Sequence, residues 1–436
     1  MQWQNWAGLE SADPRTVISP ASTEEVVAAV EGARRDHSTV KMIGSGHSFT
    51  AIGAPEDVML RPDLLRGILA VDRGAMTATA YAGTQLKVLN AELERLGLSL
   101  HNMGDIAEQT LAGATSTGTH GTGGVTAGLA AQLAGFQLVT GTGQVLDASR
   151  QSNPDLFALG RVGLGALGIL TTVTFQVEPL FLLEAHEQPM SWDEALGSFD
   201  QMVAECHHLD MYWFPHTDRM LVKRNTRLDA DLAEAQPVGR VRGWVDDDLL
   251  SNTVFGALTA AANRMPAVVP RMNQFSARAL SARTYSDVAH RVFISPRRVV
   301  FREMEYAVPR AAGLDALREA RRVVDASDWR ISFPVEIRVA PADDIALSTA
   351  YDRDTFYLAF HTHHRSDWAT HAAYLDAMES VMRAHDGRPH WGKLHTRTAA
   401  DLAPAYPRFE EFLALRDRLD PDRLFANDYL RRVLGD

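Results

Sequence analysis

The sequence is nearly free of cysteine, which limits the kinds of site it can build. Cys206 is the only cysteine among 436 residues, so an internal disulfide and a cysteine-based metal cluster are both excluded. The first ten residues, MQWQNWAGLE, have neither a positively charged start nor an apolar core, so they do not predict a secretory signal. We therefore expect a cytoplasmic protein.

Long hydrophobic runs and an excess of positive charge are also missing. The longest apolar tract, residues 254–270, is interrupted by Asn263, Arg264, Pro266 and Pro270, so no membrane span is expected. The net charge is -12, whereas binding a phosphate backbone requires clustered lysine and arginine, so no nucleic-acid partner is expected. A hydrophobic content of 46% in a chain of this length predicts a soluble globular protein with two domains.

Two common phosphate-binding patterns are absent, but a different glycine pattern is present. The segment 40–50, VKMIGSGHSFT, ends a strand-like run in Gly44, Ser45 and Gly46 and then places His47. It lacks the Lys-Ser/Thr pair of a P-loop and the third glycine of the dinucleotide fingerprint. The two glycines allow a sharp turn that directs backbone N–H groups into one concavity, which can hold a pyrophosphate. The alternative is an ordinary glycine turn in which His47 caps the next segment.

Small residues dominate a second region, residues 104–124, which includes the run GTHGTGG at 118–124. Such a stretch predicts no packed helix, and it lets the backbone approach a flat or phosphorylated ligand closely. A long flexible surface loop is the alternative. A further tight glycine turn, residues 163–168, precedes a predicted strand at 170–177.

Local patterns predict several elements. Ser22 and Glu25 have capping-box spacing, so a helix should run from there to about Arg35. Residues 68–72 and 76–82 alternate as a hairpin does, and Thr84 is expected to cap a helix that Gly97 ends. Asn153-Pro154 predicts another helix start. Further strands are expected at 136–140, 144–147, 211–215, 299–308 and 356–360, and a largely helical region at 248–280.

A polar constellation occupies the last quarter of the chain. Glu336 and Arg338 lie two apart in a strand-like setting, so their side chains share a face. A cation beside a hydroxyl lowers the cost of a developing alkoxide, and Glu336 can bind a neighbouring hydroxyl or orient Arg338. Lys393 is the second candidate cation. The alternative is a surface cluster of salt bridges.

Several histidines accompany this constellation. His361 and His395 are candidates for lining a substrate site, whereas His120 can equally be a packed loop histidine. No metal site is expected, because no carboxylate or cysteine shares ligand spacing with the histidines at 361, 363, 364, 390 and 395.

Five motifs together resemble one family. They are Gly44–Ser48 (GSGHS), 118–123 (GTHGTG), 165–168 (GALG), 334–338 (PVEIR) and 390–395 (HWGKLH). In this order the sequence resembles the aldonolactone oxidoreductases of the vanillyl-alcohol oxidase flavoprotein family, and more weakly the alditol oxidases of the same superfamily. The resemblance implies an α+β fold with an FAD-binding domain at 1–178. A substrate-binding cap with an antiparallel sheet and helices would follow at 179–395, and a C-terminal segment, 396–436, would return to the FAD domain.

The resemblance also implies roles for individual residues. His47 would be joined covalently to the flavin 8α-methyl group, and Glu336, Arg338, Lys393, His361 and His395 would form the catalytic site. The cofactor-binding residues would be Ile43, Gly44, Ser45, Gly46, His47, Ser48, Gly104, Asp105, Gly113, Ala114, Ser116, Thr117, Gly118, His120, Gly121, Gly168, Ile169, His390, Lys393 and Asn427.

The implied activity is FAD-dependent oxidation of a sugar 1,4-lactone, such as the L-gulono-, L-galactono- or D-arabinono-lactone, at the hydroxyl next to the carbonyl. Oxygen or another acceptor would take the electrons, and Gly104 implies an open path for oxygen because it lacks a side-chain methyl. The alternative activity is oxidation of an open polyol. A non-catalytic flavin- or sugar-binding protein would keep the glycine nest and lose the polar constellation, and here both are present.

Overall fold

The computed structural model describes residues 2–239, 259, 264–295 and 299–436. Residues 248–258 and 260–263 of the helical region expected at 248–280 lie outside the described residues. The strands, in chain order, are β1 Trp3–Gln4, β2 Ser11–Ala12, β3 Thr16–Ile18, β4 Val40–Met42, β5 Val58–Leu60, β6 Ile68–Asp72, β7 Thr77–Tyr81, β8 Leu98–Ser99, β9 Leu133–Val139, β10 Val145–Ser149, β11 Ile169–Gln176, β12 Glu178–Pro179, β13 Leu182–Ser191, β14 His208–Trp213, β15 Arg219–Leu228, β16 Arg283–Val288, β17 Phe301–Pro309, β18 Val335–Ala340, β19 Thr355–His363 and β20 Arg388–Pro389.

The α-helices of the described residues are α1 Thr23–Arg35, α2 Leu86–Arg95, α3 Leu111–Ser116, α4 Pro154–Gly160, α5 Trp192–Gly197, α6 Phe199–Glu205, α7 Val269–Ala279, α8 Ala289–Phe293, α9 Arg310–Asp325, α10 Trp368–Ala384, α11 Ala399–Leu402, α12 Phe409–Leu419 and α13 Asp428–Leu434. Within the described ranges, none of these helices is both long and apolar enough to cross a membrane.

The described residues form five sheets, and three of these have three or more strands. A parallel sheet has the order β3-β5-β4, and an antiparallel sheet has the order β10-β9-β11-β7-β6. The largest sheet is antiparallel throughout, with the order β16-β13-β15-β14-β18-β19-β17-β20. The combination gives the α+β class expected from the sequence.

The eight-stranded sheet separates an apolar face from a polar one. Alternate residues such as Met211, Ile337 and Leu358 pack in one buried cluster with the helices α5, α6, α9 and α10. The intervening residues, such as Glu336 and Asp210, face the opposite side, because side chains alternate along a strand. This polar face carries the candidate substrate site.

Several local predictions are confirmed. Ser22 caps α1 by accepting a hydrogen bond from the Glu25 N–H at 3.3 Å, and Val26 and Val30 are buried. The hairpin β6–β7 pairs Asp72 with Thr77. The helix α4 begins at Pro154, directly after Asn153.

Other local predictions are wrong. Thr84 does not cap α2: Gln85 precedes the helix, and the Thr84 hydroxyl accepts a hydrogen bond from Gly67 N–H at 2.9 Å. The small-residue region does contain a helix, α3, which Thr110 caps by accepting from Gly113 N–H at 3.3 Å. Alanine is the strongest helix former, and buried Leu111 anchors this helix, so small size alone was a poor argument against it.

Two strand boundaries also differ from the predictions. The aromatic strand β14 ends at Trp213, so residues 214 and 215 lie in the turn beyond it. The strand β19 continues to His363, so His361 points from within the sheet instead of following it. Its side chain therefore shares the polar face with Glu336.

Candidate active site

The glycine nest lies where β4 ends against α3. Ile43 N–H still donates to Leu60 O at 3.0 Å, and the chain then turns through Gly44 and Gly46, the latter with φ +72°. A Cβ added at Gly44 would lie 2.8 Å from Thr110 Oγ1. Only glycine permits this approach between the loop and the cap of α3.

A cleft opens beside the nest, with about 1020 Å³ of space between atoms when its open mouth is included. Eleven of the predicted cofactor residues line it: Ile43, Gly44, Ser45, Gly46, His47, Ser48, Gly113, Ser116, Thr117, Gly168 and Ile169. Gly168 has φ +156°, and a Cβ there would lie 2.6 Å from Val139 O. The backbone is thus brought close to the cleft wall, and the glycine nest has the character of a site that would hold the diphosphate of FAD.

Sequence reasoning missed a buried lysine in the cleft wall. The Lys41 ammonium donates to Phe425 O at 3.0 Å and to Gly165 O at 3.3 Å, so it joins the C-terminal segment to the second glycine turn. Burial lowers its pKa to about 7, although Asp420 and Glu56 act against that shift. The available signal was the position of Lys41 three residues before Gly44, on a strand whose other members are apolar.

His47 sits at the cleft, packed against the N-terminal segment. Its ring stacks on Trp6 with a centroid distance of 5.7 Å. Burial lowers the pKa of His47, and Lys393 adds to this effect while Glu108 opposes it. The imidazole is therefore neutral at physiological pH and keeps a lone pair on one ring nitrogen.

The other predicted cofactor residues do not line this cleft. They are Gly104, Asp105, Ala114, Gly118, His120, Gly121, His390, Lys393 and Asn427. Asn427 caps α13 through Leu430 N–H, and its amide donates to the carbonyls of Ala51, Ile52 and Ala54 at 2.9–3.2 Å. It ties the C-terminal segment to the N-terminal region.

Arg338 is the centre of the first charged group on the polar face. Its guanidinium lies 2.7 Å from Glu336 Oε1, 3.0 Å from Asp210 Oδ1 and 3.5 Å from Asp105 Oδ1. Burial lowers the pKa of Arg338, but the three carboxylates outweigh it and hold that pKa well above its usual value. The Tyr212 hydroxyl also donates to Glu336 Oε1, at 2.9 Å.

Lys393 and His361 form a second group around Glu303, which sequence reasoning missed. The Lys393 ammonium makes a hydrogen-bonded ion pair with Glu303 Oε2, and His361 Nε2 lies 3.5 Å from Glu303 Oε1. Burial raises the pKa of Glu303, but Lys393 and His361 lower it to about 2, so the carboxylate stays ionised. The alternating pattern of β17 was visible in the sequence, and it placed Glu303 on one of the two faces without saying which.

The third group is built on His120. Its Nδ1 lies 2.8 Å from Gly121 O and its Nε2 lies 2.7 Å from Glu305 Oε1, while its ring stacks on Tyr357 at 3.8 Å. Burial raises the pKa of Glu305, but His120 and His390 outweigh it and hold that pKa well below its usual value. Both ring nitrogens of His120 thus face oxygen atoms. Burial lowers the pKa of His390 to about 4, so His390 is neutral.

Carboxylates lie closer to the histidines than their spacing in the sequence indicated, which bears on the expectation of no metal site. Carboxylates do meet the histidines in space: His120, Glu305 and His390 form one compact group, and Glu303, Glu336 and His361 form another, each with donor atoms within 4.8 Å. The carboxylates come from β17 and β18, apart from the histidines in sequence, so spacing did not show them. In the second group Lys393 and Arg338 already pair with the carboxylates, and the expectation of no metal stays a prediction.

His395 lies apart from these groups. Its Nε2 is 2.9 Å from the Tyr429 hydroxyl, and its Nδ1 accepts from Arg397 N–H. Burial lowers its pKa to about 3, with Arg432 and Arg397 adding to the shift. The structure brings Glu336, Arg338, Lys393 and His361 to one face of the sheet and leaves His395 against α13.

Comparisons with known proteins agree with this organisation. A family model described as "FAD binding domain" matches residues 14–149, and one described as "D-arabinono-1,4-lactone oxidase" matches residues 173–433. The L-gulono-1,4-lactone dehydrogenase of Mycobacterium tuberculosis is 38% identical over 99% of both chains. The L-gulonolactone oxidase of Bos taurus is 30% identical over 99% of this chain and 98% of its own.

More distant matches fit the same picture. The alditol oxidase of a Streptomyces species is 30% identical over 99% of this chain and 98% of its own. Among solved structures, a solvent-stable cholesterol oxidase superposes with a TM-score of 0.85 at 17% identity, covering 100% of this chain and 97% of its own. That likeness confirms the fold alone, of the vanillyl-alcohol oxidase type, while the domain boundaries stay a prediction.

The glycine nest and its cleft, the acidic and cationic groups on the polar face, and two matches that together span residues 14–433 lead to one conclusion. This chain is an FAD-binding oxidoreductase and belongs to the D-arabinono-1,4-lactone oxidase family.

Proposed function

We propose that the protein oxidises the hydroxyl next to the carbonyl of a sugar 1,4-lactone, with L-gulono-, L-galactono- and D-arabinono-1,4-lactone as the candidate substrates. The carbon loses a hydride and its hydroxyl loses a proton, so the product is a 2-keto lactone that tautomerises to an ene-diol. FAD, when bound, supplies the acceptor for the hydride. The chain itself must therefore bind the hydroxyls and take the proton.

The observation that carries this proposal is the hydrogen bonding of the two ring nitrogens of His361. Its Nδ1 lies 3.1 Å from Pro334 O, and a carbonyl can only accept, so Nδ1 holds the ring hydrogen. Its Nε2 is buried and makes no hydrogen bond to any described residue, so in the neutral form of the ring Nε2 carries the lone pair that can accept a proton. Glu303 Oε1 at 3.5 Å would stabilise the imidazolium once a proton arrives. This is the arrangement of a general base.

The neighbouring charged groups are suited to hold the sugar hydroxyls. Glu336 accepts hydrogen bonds, and Arg338 and Lys393 donate them, all on the face that carries His361. Charged donors and acceptors bind hydroxyls more strongly than neutral ones. We assign Glu336, Arg338 and Lys393 to binding and orienting the lactone.

The experiment is anaerobic mixing of the flavoprotein with aldonolactones and with open polyols, following the visible absorbance of the oxidised flavin. Lactones should reduce the flavin, and His361→Asn should slow the reaction strongly. His395→Asn is the matched control, since that histidine lies against Tyr429. Reduction by polyols alone would assign the alditol oxidase alternative, and equal rates in both variants would remove His361 from the chemistry.

A covalent link between His47 and the flavin is a separate proposal. Its support is the position of His47 at the cleft and its neutral ring, because a bond through nitrogen requires a lone pair. Acid precipitation of the holoprotein should leave yellow, fluorescent pellet, and His47→Ala should release the colour. Free flavin from the parent protein would reject the link without affecting the assignment of FAD.

The electron acceptor and the compartment are also proposals. Relatives carry the names dehydrogenase and oxidase, and Gly104 lacks the methyl group that would narrow access to the site. We propose oxygen as an acceptor and the cytoplasm as the location.

A further inference from the structure

A short turn near the start of the chain lies against the glycine nest. The turn joins β1 to β2, and the buried Asn5 holds it together from within. The side-chain carbonyl of Asn5 accepts from Leu9 N–H at 2.8 Å and from Glu10 N–H at 3.2 Å, and Asn5 N–H donates to Glu10 O at 3.0 Å. Residues 5–10 therefore form a closed turn that its own hydrogen bonds keep in shape.

The same turn fixes the backbone on both sides of His47. The Asn5 amide donates to Ser48 O at 3.0 Å, and Trp6 N–H donates to Gly46 O at 2.8 Å. Gly46 has φ +72°, and a Cβ there would lie 3.5 Å from Asn5 Cα, so the two segments are in direct contact. The position of His47 is thus set by contacts with a neighbouring turn as well as by its own loop.

The imidazole ring of His47 is contacted on its face. Trp6 stacks on it with a centroid distance of 5.7 Å and an angle of 29° between the ring planes. Trp6 itself packs edge-to-face against Phe301 at 5.4 Å and Phe49 at 6.3 Å. None of the described residues forms a hydrogen bond with a ring nitrogen of His47. Because the lone pair of a ring nitrogen lies in the ring plane, a contact with the face orients the ring and leaves the lone pair able to react.

We propose that Trp6 is a positioning residue that orients the His47 imidazole for bonding to the flavin of FAD. This inference rests on the proposed covalent link. In that step a ring nitrogen of His47 bonds to the 8α-carbon, a C–H bond of that carbon breaks, and its electron pair passes into the flavin ring while protons leave the carbon and the imidazole. Oxygen then takes the electron pair, which restores the oxidised flavin. Trp6 does not react in this step, so its contribution is the orientation of the attacking ring.

The experiment follows the attachment of FAD to the full-length protein, produced in riboflavin-limited cells, after FAD is added in the presence of oxygen. Samples are precipitated with acid, and the flavin absorbance of the pellet gives the attached fraction with time. Trp6→Leu should slow attachment about 3- to 10-fold, the loss expected when one aromatic contact that orients a ring is removed. Trp6→Phe keeps an aromatic ring and should restore most of the rate. Trp368→Leu is the matched control, because it removes the same side chain from an exposed position on α10.

A second measurement separates the orientation of His47 from general support of the nest. The dissociation constant of FAD is measured in His47→Ala with and without Trp6→Leu, since no covalent bond can form in this background. If Trp6 acts on the orientation of His47, the two constants should agree within about twofold. A loss of affinity that matches the loss of attachment rate would show a structural role and overturn the proposal, as would attachment to Trp6→Leu at the parent rate. An absence of attachment in the parent protein would reject the covalent link itself, and the role of Trp6 with it.

Discussion

Replacing Glu303 by glutamine should slow the reduction of the flavin by lactone while leaving the fold and the bound flavin in place. Glutamine has nearly the same shape and still accepts a hydrogen bond from Lys393. It removes the negative charge beside His361, however, and that charge is what stabilises the imidazolium when His361 takes the hydroxyl proton. The variant therefore separates proton acceptance from substrate binding.

The expected size follows from one distance. A full charge on His361 Nε2, 3.5 Å from Glu303 Oε1, interacts by roughly 5 kcal/mol at an effective dielectric constant of about 20. If the proton is about half transferred in the transition state, roughly 2.4 kcal/mol of stabilisation is lost. Because about 1.4 kcal/mol corresponds to a tenfold change in rate, the reduction should slow about 50-fold.

Stopped-flow measurement of the limiting reduction rate under anaerobic conditions is the assay. Glu319→Gln is the matched control, since it breaks another Glu–His contact, of 2.9 Å to His385, on a helix that packs on the opposite face of the sheet. A Glu303 variant that reduces as fast as this control would refute the proton-transfer argument. A raised lactone dissociation constant with an unchanged limiting rate would instead make Glu303 a binding residue.

Three further outcomes are expected. The pKa of Glu303 is about 2 in the folded state against 4.5 for the free group, which corresponds to a stabilisation of the folded state on the order of 3 kcal/mol. This stabilisation is fully present above pH 4.5 and is lost as the pH falls through about 2. Urea unfolding across this pH range should therefore show a steeper loss of stability in the parent than in Glu303→Gln. Asn427→Ala removes a helix cap and leaves three carbonyls without their donor, so it should lower the free energy of unfolding by about 2–3 kcal/mol in the same assay. A change below 0.5 kcal/mol, roughly the level of a surface substitution, would contradict the role of Asn427 in joining the C-terminal segment to the N-terminal region. Reduced parent enzyme should reoxidise rapidly with oxygen, and the Gly104→Ala variant should reoxidise more slowly. The added Cβ would lie 3.1 Å from His120 O, so the loop must shift slightly. Equal reoxidation rates in the two proteins would reject a role of position 104 in controlling the access of oxygen.

Local patterns in the sequence were sufficient for elements whose cause is local. Ser22 caps α1 because its neighbour three residues on supplies the N–H, and the two-residue spacing of Glu336 and Arg338 places both side chains on one face of β18. Thr84 failed as a cap because its hydroxyl found a partner 17 residues away, Gly67, which no local pattern reveals. Short-range rules predict well where the partners are near in sequence.

The carboxylates around the site show the limit of those rules. Glu303 meets Lys393 across 90 residues, and Arg338 meets Asp210 across 128. Both contacts exist because of the strand order in the large sheet, in which β17 lies beside β20, the strand that precedes Lys393, and β14 lies beside β18. Sequence analysis therefore found the candidate cations and missed two of the acids that neutralise them.

This pairing changes the physical role that Arg338 and Lys393 can have. Viewed alone, two cations suggest that the site stabilises a developing alkoxide by positive charge. In the structure each cation is already bound to carboxylates, and Arg338 alone has three within 3.5 Å, so the field at a bound hydroxyl is not strongly positive. Carrying the proton away to the imidazole of His361, which stands beside the Glu303 carboxylate, suits such surroundings better than holding an oxyanion.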